Sequence, residues 1–273
     1  MPKFAIKLVY LGRGFHGWQK QPKLRTVQGE LESSLERLFN LQIKVVGASR
    51  TDAGVSAEGQ VASFSIPRGD FTPKRLSSVL ESFLPKDIHI VDAVVVPDNF
   101  SARFSAYGKL YIYTLASHRM PLDPAVQPVR LTNKLNLSLI PRIKRAFIGE
   151  HNFSAFSKSS STEKDSTRLI FHFDIIPQGE LLRLIVVGES FLQYMVRGIA
   201  GATLACLQGH ISPENISEML TTGKRSYHFR TLPPEGLLLK KVFYSREKLA
   251  SVVNWLKQNP TVDRRLDEML AGI

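Results

Sequence analysis

Gly47-Ala48-Ser49-Arg50-Thr51-Asp52-Ala53-Gly54-Val55-Ser56-Ala57-Glu58-Gly59-Gln60 lies between two apolar runs of strand character and sets a carboxylate, Asp52, on a glycine-bounded turn two residues after Arg50. Taken alone, Asp-Ala-Gly is ordinary turn chemistry, because Asp hydrogen-bonds its own backbone and Gly accepts positive φ. Whether Asp52 does more depends on what the chain arranges around it.

Upstream, residues 42–46 read as a strand, preceded by a helix with Thr26 as N-cap and Val27, Leu31, Leu35, Leu38 and Phe39 on one face. Further back, Phe4, Ile6, Leu8 and Tyr10 recur with the period of two expected of a strand. Gly12-Arg13-Gly14-Phe15-His16-Gly17 then spells G-x-G-x-x-G, the pattern of a dinucleotide-binding turn. That turn needs a helix opening on its last glycines, so that free amides meet the pyrophosphate. The chain runs instead into Trp18-Gln19-Lys20-Gln21-Pro22, and no acidic residue closes the next strand.

Downstream, residues 61–66 form a second strand candidate, Thr72-Pro73 open a helix with Leu76, Val79, Leu80, Phe83 and Leu84 on its apolar face, and residues 88–96 form another strand. Strand, helix, strand, strand, helix, strand is the split βαβ order of ferredoxin-like domains. The same order returns. Residues 109–116 read as a strand, a loop carries Pro121, Pro124 and Pro128, and a helix over 138–148 stops at Gly149. Strands over 169–176 and 181–187 flank Pro177-Gln178-Gly179-Glu180; a long helix over 190–207 and another capped by Ser212-Pro213-Glu214 and closed by Gly223 follow, and a strand over 237–244 ends the pattern. The expected class is α+β: two ferredoxin-like βαββαβ halves, residues 1–104 and 105–245, with adjoining antiparallel sheets and flanking helices. Residues 246–273 form a helical appendix whose apolar positions are Leu249, Val252, Val253 and Leu256, with a turn at Asn259-Pro260. Residues 158–167 are polar and without period, a surface loop.

Lys and Arg number 36 against 24 Asp and Glu, a formal charge of +12 that suits a polyanionic partner. A single cysteine, Cys206, forms no internal disulfide and fits a reducing compartment. Lysines interrupt the N-terminal apolar run and no segment offers 18 uncharged apolar residues, so the reading is a cytoplasmic protein without a membrane span. No spaced His or Cys ligand set, Walker loop or serine elbow is found.

Gly17-Trp18-Gln19, Arg50-Thr51-Asp52-Ala53-Gly54-Val55, Gly59-Gln60-Val61, Ala102-Arg103-Phe104-Ser105-Ala106, Tyr111-Ile112-Tyr113, Phe153-Ser154-Ala155-Phe156, Met195-Val196-Arg197 and Glu235-Gly236-Leu237 occur in that order. Together they resemble the TruA family of tRNA pseudouridine synthases. The resemblance implies isomerisation of uridine to pseudouridine at positions 38, 39 and 40 of the tRNA anticodon arm, in a cleft between the halves, by a homodimer that needs no metal, nucleotide or other cofactor.

By that resemblance Asp52 is the nucleophile, a role suited to a group with an unperturbed pKa near ~3.9 that is ionised at neutral pH. In a recessed site a carboxylate needs a cation to stay charged, and Arg197 matches the family arginine that pairs with it. Two charges ~4 Å apart attract by about 1 kcal/mol in water and about 4 at an effective dielectric of ~20, before desolvation. Tyr111 matches the tyrosine that packs on the target uracil, Arg50 the arginine that fills the space left by the flipped base, and Leu237 an apolar wall of the pocket. Arg103 either contacts RNA or supports the catalytic loop. Ser49 and Ser56 depart from the glycine and histidine usual in the family, which leaves the loop intact but removes an imidazole able to touch RNA. Two readings of other classes stay open: a non-catalytic RNA-binding protein built on paired sheets, and the dehydrogenase suggested by residues 12–17.

Overall fold

The computed structural model describes residues 1–67, 70–116, 127–128, 135–158, 165–259 and 264–271. Pro121, Pro124, Pro260 and most of the polar loop expected over 158–167 lie outside them. The elements in chain order are β1 (Lys3–Tyr10), α1 (Val27–Phe39), β2 (Val46–Gly47), β3 (Ser56–Ser65), α2 (Pro73–Glu81), β4 (Ile88–Val96), β5 (Gly108–Ala116), β6 (Gln127–Pro128), α3 (Ile140–Phe147) and β7 (Gly149–Asn152). They continue with β8 (Thr167–Gln178), β9 (Leu181–Gly188), α4 (Met195–Leu207), α5 (Pro213–Thr222), β10 (Leu237–Phe243), α6 (Arg246–Gln258) and α7 (Arg264–Ala271). This is a mixed arrangement of strands and helices in two units, Met1–Tyr107 with Leu238–Tyr244, and Gly108–Leu237 with Ser245–Ile273. They differ from the halves expected from pattern chiefly in one strand, β10, most of which belongs to the first unit. No helix among the described residues is long and apolar enough to cross a membrane.

In the first unit, β1 runs antiparallel to β3 on one side and to β4 on the other. The far edge of β3 is shared: β2 pairs antiparallel near its end (Val46 opposite Ser63), and β10 pairs parallel at its start (Leu238 opposite Ser56). The helices open where the caps predict. Thr26 accepts from the Gly29 amide and Thr72 from the Arg75 amide, each satisfying an amide that a first helical turn leaves without a partner. The strand expected over 42–46 shrinks to Val46–Gly47. The reason lies in α1: the Glu32 carboxylate accepts from the Val45 amide (3.2 Å) and the Gln28 side chain donates to the Val45 carbonyl (3.1 Å), so this backbone is satisfied without a ladder.

In the second unit the order is β5-β9-β8-β7 with every neighbour antiparallel, and β6 lies parallel to β5. The β8–β9 turn is tighter than expected. Pro177 stays in β8 opposite Leu182, and only Gly179, at φ +59, and Glu180 turn the chain. β7 pairs with β8 only over residues 167–170, so at Pro177 one side of β8 has no paired strand among the described residues, the place where a missing N–H costs no ladder bond. β7 itself, Gly-Glu-His-Asn, is too short and polar to show a period. α3 ends before its expected stop: Ile148 is already extended as the C-cap, and Gly149, at φ +112, opens β7. α4 begins at Met195, five residues later than its pattern, because Tyr194 holds φ +68 and cannot be helical. α5 carries a reciprocal capping box between Ser212 and Asn215 and ends on Gly223 at φ +66. Leu249, Val252, Val253 and Leu256 of α6 are buried as their spacing predicts, and Leu266 and Leu270 add a second buried stripe from α7.

One buried histidine gives this unit an acid limit. His172 on β8 is 4% exposed, its Nε2 has no hydrogen-bond partner, and Asp174 beside it is bonded to Lys144 (2.7 Å). Burial lowers its pKa from 6.5 to about 4, with Asp174 pulling upward and Lys144 and Lys257 downward. The neutral form is favoured in the folded state, so this stability is intact above pH 6.5 and is lost as pH falls toward 4. By pH ~5 the loss is about 2 kcal/mol. Urea unfolding between pH 7 and 5 checks this: His172→Gln should lose less stability with acid than the wild type.

Candidate active site

The loop that carries Asp52 is held by backbone at both ends and by buried side chains beneath. At its entrance Gly47 lies against Trp18 so closely that a Cβ would stand 2.3 Å from the indole. Ala48 donates to the Val61 carbonyl (2.8 Å), and Trp18 donates its amide to the Thr51 carbonyl (3.0 Å). The Val55 amide closes on the Asp52 carbonyl (3.1 Å) with Gly54 at φ +82, a four-residue turn whose third position requires positive φ. Asp52 is the first residue of that turn and half-buried, whereas Arg50 before it is exposed.

The glycines at 12 and 17 are what let the loop sit there. A Cβ on Gly12 would lie 2.3 Å from the Val55 carbonyl carbon, and one on Gly17, itself at φ +90, would lie 2.8 Å from the Thr51 oxygen. Gly12 also donates to the Ser56 hydroxyl (3.0 Å) and Gly54 to the Phe15 carbonyl (3.3 Å). The G-x-G-x-x-G segment is therefore a bed for the Asp52 loop, and the first α-helix waits until Val27.

Gln60, fully buried, accepts from the Ser49 amide (3.2 Å) and donates to the Ser49 carbonyl (2.8 Å) and the Tyr10 hydroxyl (3.3 Å). Tyr10 in turn meets the Thr51 hydroxyl at 2.8 Å. Burial raises the Tyr10 phenol to about 12 against the pull of Thr51 and Gln60, so it stays protonated at neutral pH and serves the loop as a fixed hydrogen-bonding strut.

In the second unit Tyr111, 5% exposed, stands on β5 opposite Val186 with its ring edge-on to Phe191 (centroids 5.1 Å apart). Tyr113, two residues on and so on the same face, donates to the Pro233 carbonyl (2.7 Å). Arg197 lies in the first turn of α4. Its Nε donates to the Leu232 carbonyl (2.7 Å), its backbone oxygen accepts from the Leu232 amide (3.2 Å), and its guanidinium lies 4.5 Å over the Tyr194 ring. Two glycines seat this helix: a Cβ on Gly198 would lie 2.0 Å from the Phe156 carbonyl oxygen and one on Gly201 1.8 Å from that of Arg230. Leu237 is buried at the start of β10, just after the short turn Pro234–Gly236. Asp52, Arg50 and Arg103 thus belong to the first unit, and Tyr111, Arg197 and Leu237 to the second. Arg103 is exposed, 5.2 Å over the ring of Phe104.

A family model described as tRNA pseudouridine synthase matches residues 6–105 and 143–245. The chain belongs to that family. The tRNA pseudouridine synthase A of Thermosipho melanesiensis is 38% identical over 89% of this chain and 100% of its own, and that of Geotalea daltonii 39% over 88% and 99%. The enzyme of the same name from Methylacidiphilum infernorum is 37% identical over 88% of this chain and 95% of its own. A solved Cbf5-Nop10-Gar1 complex aligns at a TM-score of 0.38 and 12% identity over 96% of this chain and 59% of that one, too distant to argue from.

For this tRNA pseudouridine synthase, the family motifs Gly17-Trp18-Gln19 and Gly59-Gln60-Val61 acquire physical roles that the sequence left blank: both sit under the Asp52 loop. Ser56 points inward. It is 5% exposed and holds the Gly12 amide, so the missing histidine leaves an internal clasp. Ser49 is not among the residues of positive φ, so serine fits where the family has glycine. No local spacing marks Tyr10 as a support, because its partners Thr51 and Gln60 lie 41 and 50 residues away, or Gln60, whose bonds to Ser49 span a turn of 11, and nothing local signals the left-handed backbone of Tyr194.

Proposed function

We propose that this synthase converts uridine to pseudouridine at positions 38, 39 and 40 of the tRNA anticodon stem-loop, with Asp52 as nucleophile on a flipped-out nucleotide. The reaction is an isomerisation: the N1–C1′ bond breaks, the uracil turns, a C5–C1′ bond forms, and the proton leaving C5 is balanced by one gained at N1. No outside oxidant, reductant or cofactor is needed. Tyr111 packs on the uracil, Leu237 walls the pocket, Arg197 keeps Asp52 ionised, Arg50 fills the gap left by the flipped base, and Arg103 contacts the RNA. Flipping costs a few kcal/mol of stacking, part of which an inserted guanidinium offsets. Each unit is read as a ferredoxin-like half; the all-antiparallel order β4-β1-β3-β2 in the first supports that reading. The enzyme acts as a cytoplasmic homodimer.

The observation that carries the proposal is Asp52 itself, a half-buried carboxylate at the first position of a turn that buried groups hold from below. The test is to incubate unmodified tRNA transcripts with the protein, without added nucleotide, and map pseudouridine residue by residue. Product confined to positions 38–40 is the expected result. Binding without product would make the chain an RNA-binding module instead.

A further inference from the structure

Phe104 is 81% exposed. Scattered apolar residues on a surface need no explanation, but this ring is held out by a turn that has little freedom to bury it. Ser105 donates its amide to the Ser101 carbonyl (2.9 Å), Ser101 its amide to the Ser105 hydroxyl (3.0 Å), and Phe104 its amide to the Ser101 hydroxyl (3.4 Å). The turn is also tied down. Ala102 donates to the Ser63 hydroxyl of β3 (3.0 Å) and accepts from the Tyr244 hydroxyl just past β10 (2.7 Å), whose ring packs on Phe100. Beside the ring stands the Arg103 guanidinium, 5.2 Å from its centroid.

A rigidly presented aromatic face next to a cation fits a flat partner with a π-face and a nearby negative charge, which describes a nucleotide base and its phosphate. The immediate neighbours in the turn, Ser101, Arg103 and Ser105, add a cation and hydroxyls to the aromatic face. The chain's charge of +12 points the same way. We infer that Phe104 and Arg103 form a stacking site for an unpaired base of the tRNA, separate from the base that is isomerised. The separation follows from where the Asp52 turn closes: Gly54 bonds Phe15 and Gly12 bonds Ser56 at the start of β3, whereas the turn of Phe104 is anchored at Ser63 near its end. The partner is accordingly a second, single-stranded nucleotide, the kind of base that aromatic side chains recognise in RNA.

The inference rests on tRNA being the substrate, and the test separates the two. Binding of an unmodified tRNA transcript and formation of pseudouridine are measured for the wild type and for Phe104→Ala, Phe104→Leu and Phe104→Trp. Expected are about tenfold weaker binding for Ala and Leu, near-normal binding for Trp, and Trp fluorescence in that variant quenched when tRNA is added. Melting temperatures should stay together, since an exposed side chain adds little to stability. If Phe104→Ala binds tRNA like the wild type, or Leu restores binding in full, base stacking is excluded. A Phe104→Ala protein that changes oligomeric state while keeping its tRNA affinity would make the ring a contact between copies. A wild type that neither binds nor modifies tRNA sinks the functional reading, and this inference with it; an active wild type with an equally active Phe104→Ala sinks this inference alone.

Discussion

Asp52→Asn leaves tRNA affinity within a few fold and lowers pseudouridine formation by about a thousandfold or more, as loss of a nucleophile does. The substitution is a sharp test because the loop has supports besides the carboxylate. The turn closes through the Asp52 backbone oxygen, and the supports from Gly12, Trp18, Tyr10 and Gln60 reach the backbone or side chains of other loop residues. Asn has nearly the same shape and lacks only the negative charge and its reactivity. Single-turnover assays on a transcript that ends modification at one uridine give the rate directly. Retained turnover would mean that Asp52 is a turn residue and that another group attacks.

Gly198→Ala separates local propensity from tertiary packing by the sign of its effect. In the middle of a helix, Gly to Ala gains up to ~1 kcal/mol from propensity alone. Here the new Cβ would meet the Phe156 carbonyl oxygen at 2.0 Å, and that carbonyl belongs to a short helical turn, Ser154–Phe156, whose last amide is bonded to Phe153. Neither side can give way cheaply. We expect a net loss of about 3 kcal/mol, the upper part of the range for overpacking, read as a lower urea midpoint. The shift falls on the turn of α4 that carries Arg197, held to Leu232 through both its side chain and its backbone. Displacing a positioned group by ~1 Å can cost about a hundredfold in rate. Gly198→Ala should therefore lose more turnover than its lost stability explains at temperatures where it is fully folded. A stabilised and fully active variant would show that α4 is not seated by this contact.

Much of the fold was legible because its signals are local. A helix start is decided by whether a side-chain oxygen can reach an amide two or three residues on, and Thr26, Thr72 and Ser212 all do so. The period-two run gave β1 to within a residue, since alternate side chains must face opposite sides of a sheet, and the apolar runs gave β4 and β5 as closely. What misled had partners elsewhere. Val45 is no strand residue because Glu32 and Gln28 satisfy its backbone, α4 starts late because Tyr194 is held left-handed, and β10 joins β3 by a parallel pairing across 182 positions (Leu238 to Ser56).

The sequence by itself determined the family and most helix and strand identities, because motif order and hydrogen bonds that close within a few residues are written in the letters. Only the tertiary structure decided what holds the Asp52 loop in place. Gly12 and Gly17 read locally as a nucleotide turn, and only the approach of Val55 and Thr51 to within a Cβ's reach shows them to be the floor beneath a carboxylate. Close approach between segments some forty residues apart depends on the whole unit having folded, and no local spacing encodes it.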